Sequence, residues 1–192
     1  MKANLKTLAI ATCLALGTCT YAQEGFVRPE LSYNFASLKG SDASGSTLKD
    51  AGGYAVAAGA SFGAQNEHEI GISVGVANFW ISGSSGAYGK VKTMPILANY
   101  RYYLGTKANS ARFYLAPSVG NTSVKVNESN KGSTFSSSNT SFNWGGGIGA
   151  LFKVADKFDV DLGFRYMEGI KIKDTNIHVQ VNTLYIGANF RF

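Results

Sequence analysis

Eight times along the chain, apolar side chains recur at every second position for nine residues or more, the pattern of a strand with one apolar and one polar face. In Val27–Phe35 the odd positions are apolar and the even ones polar. Tyr54–Phe62 sets Tyr54, Val56 and Phe62 against small residues, and Glu69–Phe79 sets Ile70, Ile72, Val74 and Val76 against Glu69, Ser73 and glycines. Thr93–Tyr103 aligns Met94, Ile96, Tyr100 and Tyr102 opposite Asn99 and Arg101, although Pro95 and Leu97 blur the polar face. The same period recurs in Arg112–Thr122, Ser141–Phe152, Phe158–Tyr166 and Thr183–Phe192. Repetition of period 2 with turn signals between runs predicts an all-β chain.

The connections alternate in length. Those over 36–52, 80–91, 123–140 and 167–181 are long, polar and rich in Gly and Ser, whereas 63–68, 104–111 and 153–157 are short. An up-and-down meander with every long connection at one end follows, and no domain boundary is visible. A ten-residue strand at ~3.3 Å per residue, tilted ~40°, spans roughly 25 Å, the height of an outer-membrane apolar band.

Residues 1–22 read as a secretory leader. Lys2 and Lys6 form a basic start, Leu8–Gly17 an apolar stretch, and Thr20-Tyr21-Ala22 a small-residue cleavage site before Gln23, which leaves 23–192 as one barrel domain. A lipoprotein leader acylated at Cys19 is the competing reading, with Thr18 where Gly, Ala or Ser is usual. Cleavage after Ala22 removes Cys13 and Cys19, so the remainder forms no disulfide of its own, and loss of Lys2 and Lys6 takes the formal net charge from +6 to +4. That charge, without a basic stripe, is too mild for a nucleic-acid partner. No uncharged apolar run of about 18 residues follows the leader, so a membrane would have to be crossed by strands.

Alternation alone leaves open whether the apolar face meets lipid or a soluble, lipocalin-like core. Charge type favours lipid outside. All five arginines (Arg28, Arg101, Arg112, Arg165, Arg191) lie on polar strand faces among Gly, Ala and Ser, whereas the lysines after the leader fall in predicted connections or at strand ends. Few charges among small residues suit a cramped lumen better than a water-facing surface. Taking the termini and short turns as periplasmic, Arg28, Glu30, Glu69, Arg101, Arg112, Asp159, Asp161 and Arg191 fall toward that end, with Arg165 nearer the long connections. Unpaired charges would be costly there, which predicts a salt-bridge network across the lumen. Glycines facing inward leave room for its long side chains and for Tyr103, Tyr114 and Tyr185, in an eight-stranded barrel just wide enough to be filled. Tyr100, Tyr102, Phe158 and Phe192 near one rim, and Phe35, Tyr54, Phe79, Trp80, Phe142, Trp144 and Tyr166 near the other, are expected to form two interfacial girdles.

Met94-Pro95-Ile96-Leu97-Ala98-Asn99-Tyr100-Arg101-Tyr102-Tyr103, Asp159-Val160-Asp161-Leu162-Gly163-Phe164-Arg165-Tyr166 and the closing Tyr185–Phe192 segment resemble the small outer-membrane β-barrel proteins, among them the OmpA transmembrane domain, OmpX and the opacity-type adhesins. The resemblance covers about 24–192. It implies an eight-stranded antiparallel transmembrane barrel in the bacterial outer membrane, with lipid or lipopolysaccharide around it. Phe190 and Phe192 are similar to the signal read by the barrel-assembly machinery. The family supports a class rather than one activity.

Candidate chemistry elsewhere has simpler readings. Gly145-Gly146-Gly147-Ile148-Gly149 would need a following helix to cradle phosphate, and a strand is predicted instead. His68 and His178 fall at opposite ends of the barrel, too far apart for a shared metal, and His178 with Asp174 is a weak case for general-base chemistry. Three Asn-x-Ser/Thr matches at Asn121, Asn127 and Asn139 read as polar loop residues. Loop lysines Lys39, Lys49, Lys125, Lys131, Lys171 and Lys173 could meet lipopolysaccharide or only water. No catalytic residue, cofactor or metal site is expected. The sequence therefore predicts a structural or surface-interacting, adhesin-like barrel with a filled lumen, and, as the alternative, a narrow porin-like channel. A surface ligand would meet the four long connections.

Overall fold

A computed structural model describes residues 24–40, 47–82, 88–130, 133–171 and 178–192. The leader expected over 1–22 lies outside these, as do the middles of the long connections with Lys131, Lys173 and Asp174. Nine strands run in chain order: β1 Glu24–Lys39, β2 Thr47–Lys49, β3 Ala51–Phe62, β4 His68–Ser82, β5 Tyr88–Leu104, β6 Ala111–Asn130, β7 Ser133–Ala155, β8 Phe158–Lys171 and β9 His178–Arg191. Each long strand pairs antiparallel with its neighbours, and β1 pairs with both β3 and β9, so the sheet closes into an eight-stranded barrel. The short β2 adds to the edge of β4 beyond β3. At the seam, Gly25 and Phe192 exchange both backbone hydrogen bonds at 3.0 Å. Closure pairs each long strand on both sides over the half nearest the short turns, whereas from Ser133 to Asn143 β7 is paired with β6 alone.

Over the half of the barrel nearest the short turns, every face assignment made from alternation holds. Leu31, Val56, Val74, Ile96, Leu115, Ile148, Leu162 and Ile186 stand exposed on the outer wall, while Arg28, Glu69, Arg101, Tyr114, Asp161 and Tyr185 are buried inside. The turn Gly63–Glu67 is tight because Gly63 and Asn66 adopt positive φ, a conformation that glycine and asparagine tolerate.

The other half departs from expectation. Most of the residues read as long connections are strand: β5 begins at Tyr88, and β6 and β7 run on to Asn130 and from Ser133. At ~3.3 Å per residue and ~40° tilt, a strand as long as β6 rises roughly 50 Å, about twice the apolar band. Lys90, Lys92, Lys125 and Lys153 therefore lie within strands, not in connections. In this extension the apolar parity reverses. Val91, Val124, Val179 and Val181 point inward, and Lys90, Lys92, Lys125 and Gln180 point out. Phe79, expected in the outer girdle, is 1% exposed and belongs to this inner apolar cluster with Ala51, Ala77 and Ile170. In β8 the reversal takes a bulge: Gly169, at φ +95°, shifts the register between Met167 and Ile170 and turns Ile170 into the barrel.

The lumen as candidate functional site

Three layers of inward side chains follow one another from the turn end upward. The first is charged. Arg28 lies 2.8 Å from Glu69 and 3.3 Å from both Glu30 and Asp161. Arg101 approaches Asp161 at 2.6 Å and Glu69 at 3.5 Å. Arg165, expected in the lumen network but nearer the long connections, reaches Glu30 at 3.2 Å. Three guanidiniums thus face three carboxylates, and charge balances within the cluster. Tyr103 donates to Glu69 and Tyr114 to Asp161, while the Tyr185 hydroxyl accepts from Arg101. Sharing each carboxylate among several donors offsets the cost of removing it from water.

Glycine makes space for the tyrosines. A Cβ at Gly149 would collide with the Tyr114 hydroxyl, and one at Gly163 with the ring and hydroxyl of Tyr185 and the hydroxyl of Tyr114. Gly149 and Gly163 are therefore packing partners of tyrosines, and Gly145 to Gly149 sit within paired strand.

At the turn-end rim a second balanced group forms. Arg191 contacts Asp159 at 2.9 Å and Glu24 at 3.4 Å, and Lys107 reaches Glu24 at 2.6 Å. Asn189 links the two groups, donating to Asp159 and accepting from Arg28. Arg112 joins neither group. It donates to the backbone carbonyls of Gln65 and Asn66 and lies 4.3 Å above the Tyr103 ring, and it forms no ion pair among the described residues. The turn carbonyls and the ring face take the place of the expected acid.

The second layer is neutral and polar. Ser118 donates to Asn99, Asn99 to Ser73, Asn143 to Thr122 and Thr183 to Asn34. A cavity of about 70 Å³ lies here, lined by Asn34, Thr122, Asn143 and Thr183, with Glu30 and Arg165 also in its wall. The fully buried Asn143 keeps its Oδ1 without a protein partner. Leu97, which blurred the polar face in sequence, is 2% exposed at the same wall. The third layer is the apolar cluster of Phe79, Val91, Val124, Ile170, Val179 and Val181.

Comparison with known proteins bears on what such a barrel is. The family described as outer membrane protein beta-barrel domain matches residues 7–192. The chain belongs to this outer-membrane barrel family. No curated protein matches the sequence. Among solved structures, Neisserial surface protein A is similar at TM-score 0.61 and 19% identity, over 88% of this chain and 97% of that one. Ail, the attachment invasion locus protein of Yersinia pestis, solved with the heparin analogue sucrose octasulfate, is similar at 0.57 and 22%, over 88% and 100%. OprG of Pseudomonas aeruginosa is similar at 0.58 and 14%, over 90% and 97%. At these identities the likeness is one of fold.

Apart from the inward Phe79, the aromatics singled out in sequence stand on the outer wall of this outer-membrane barrel. Tyr54, Trp80, Tyr102 and Trp144 are exposed. Tyr100 shares a 2.7 Å hydrogen bond with His68, Phe158 packs on Phe190 at 5.2 Å, and Tyr166 donates to Glu168. His68 sits among Phe62, Tyr100 and Tyr102, and His178 at the start of β9 at the far end. No cluster of metal-ligating side chains occurs among the described residues. Phe190 and Phe192 are both exposed on the outer face beside the seam. Sequence reasoning missed Glu24 and Lys107, which carry no alternation signal because Glu24 opens β1 and Lys107 lies in the turn between β5 and β6.

Proposed function

We propose that the chain is a non-conducting outer-membrane barrel with both termini and its short turns in the periplasm, its extended hairpins at the cell surface, and a structural or adhesin-like role there. The observation that carries this reading is double closure of the lumen. Arg28, Arg101, Tyr103, Tyr114 and Asp161 fill it at one level, and Phe79, Val91, Val124 and Val179 at another, each 2% exposed or less. No catalytic role is assigned. The attachment named for Ail belongs to that protein; together with the length of the β6–β7 hairpin it supports the surface-interaction class. Lipid around Tyr54, Trp80, Tyr100, Tyr102, Trp144, Phe158 and Tyr166, and recognition of Phe190 and Phe192 by the barrel-assembly machinery, complete the proposal.

Single-channel recording in planar bilayers tests closure. Silence is expected; a stable current that rises in Arg101→Ala or Glu69→Ala overturns it in favour of a narrow channel for water, ions or small solutes, the reading favoured by the polar cavity at mid-lumen. Orientation is read from an epitope tag placed at 131–132. Detection on intact cells is expected, and detection only after lysis inverts the assignment. For the adhesive role, residues 125–138 are replaced by Asn-Gly at the Val124–Asn139 pair. Heat-modifiable migration should survive while surface binding is lost; retained binding removes this hairpin from the role.

A further inference from the structure

Every other ladder between long strands joins neighbours in chain order, whereas β1 and β9 bring together residues as far apart as Glu24 and Arg191, 167 positions from each other. This seam is paired in two stretches. Gly25, Phe26 and Val27 meet Phe192, Arg191 and Phe190, and pairing resumes where Glu30 meets Gly187. Pro29, which has no N–H to donate, stands in the break. The lower stretch is held on both faces of the wall. Inside, Glu24 accepts from Lys107 at 2.6 Å and from Asn66 at 2.9 Å, one from each of two turns, and from Arg191 at 3.4 Å. Outside, the Phe192 ring lies over Gly25. A Cβ at Gly25 would stand 2.5 to 3.1 Å from three carbons of that ring, so only glycine admits it. Gly52 on β3 is the contrast, since a Cβ there would meet nothing within 4 Å.

Closing so long a loop costs chain entropy that few contacts return, so a short paired stretch cut off by a break is made late and lost early. A ring over a cross-strand glycine covers bare backbone and strengthens such a pair. Phe192 is 69% exposed, so a side chain at position 25 swings the ring aside and leaves the backbones paired. Loss of the pairs themselves would bare edges of β1 and β9 with which a second copy can pair.

We infer that the Phe192 ring over Gly25 is a latch: the seam opens first at this end, and this one contact sets how long the closed barrel lasts. The ring is in place only after β1 and β9 have met, so it slows opening and leaves the rate of folding alone. Gly25 is its positioning residue, and the inner ties of Glu24 hold that glycine beneath the ring.

The barrel, purified from outer membranes, is unfolded in urea and refolded into phosphatidylcholine vesicles, with both rates read from heat-modifiable migration. Gly25→Leu should unfold about fivefold faster and fold at the unmodified rate, and Phe192→Ala should do the same. Because each undoes one contact, the double variant should unfold no faster than the quicker single. Gly52→Leu should change neither rate. Two disulfide staples then locate the opening. Gly25 and Phe192 exchange both backbone hydrogen bonds, which sets their Cα atoms ~5.5 Å apart, within disulfide reach. Oxidised Gly25→Cys with Phe192→Cys should slow unfolding about tenfold or more, and reduction should reverse it. Ser37→Cys with Gln180→Cys, paired at the hairpin end of the same seam, should slow it less than about threefold. Unchanged unfolding in Gly25→Leu, its failure to fold, slower folding in either single, or an additive double variant overturns the latch. Equal slowing by the two staples overturns the order of opening. Refolding into vesicles uses no assembly machinery, so the outcome stands apart from the recognition proposed for Phe192.

Discussion

The two ends of the barrel use one strand pattern in opposite senses. Toward the short turns, apolar residues face out and the interior is Arg28, Glu69, Arg101 and Asp161; toward the hairpins, Phe79, Val124 and Val179 face in and lysines face out. Surroundings account for the difference. Where lipid surrounds the wall, burying apolar groups in the lumen gains nothing, so hydrogen bonds and ion pairs organise the interior. Beyond the lipid, water restores the hydrophobic effect and the barrel takes the inside-apolar form of a soluble one. One interior is directional and mutually dependent, and the other is cohesive in proportion to buried area.

That contrast can be broken most forcefully at Arg101. Arg101→Leu leaves Asp161 and Glu69 short of a partner and should cost about 3–5 kcal/mol in urea unfolding from phospholipid vesicles. The double variant Arg28→Met, Glu69→Leu should cost less than its two singles together, and strict additivity would mean the charged layer is not a coupled unit. Phe79→Ala should cost about 3 kcal/mol through the cavity it leaves, with no change in conductance. Adding Val179→Ala should contribute on top of it without the compensation expected between Arg28 and Glu69. Smallest is Asn143→Leu, which gives up the bond to Thr122 but also removes an unpartnered oxygen. A change within about 1 kcal/mol in the same unfolding assay is expected, and a larger loss would make the polar layer a structural element in its own right.

How far the sequence could be read depended on whether parity stayed constant. Across Val27–Leu31, Phe113–Val119 and Phe158–Phe164 it does, and fold class, strand order and lumen-facing arginines followed from it. In β6 the apolar residues switch from odd positions (Phe113, Leu115, Val119) to even ones (Val124, Val126), and a window holding both looks aperiodic. The signal was present as short opposite-parity runs, Val124-Lys125-Val126 and Val179-Gln180-Val181, inside stretches read as connections. Partners within the lumen were less legible, because they join residues on different strands across the barrel. Nothing in the chain order links Arg165 to Glu30, which are 135 positions apart, or sends Arg112 to the carbonyls of a turn.

The reversal of parity also acts as a vertical gauge. Sinking the barrel by one residue pair, roughly 5 Å along the membrane normal, would carry Lys92 and Lys125 toward hydrocarbon, at a cost that climbs with depth to about 2–4 kcal/mol for each cation at the midplane. Raising it by the same amount would bare Met94 and Ile96 to water. Both displacements meet a restoring force, so the protein floats at a height written into its strands, with the upper hairpins held clear of the bilayer like a mast fixed by its own waterline.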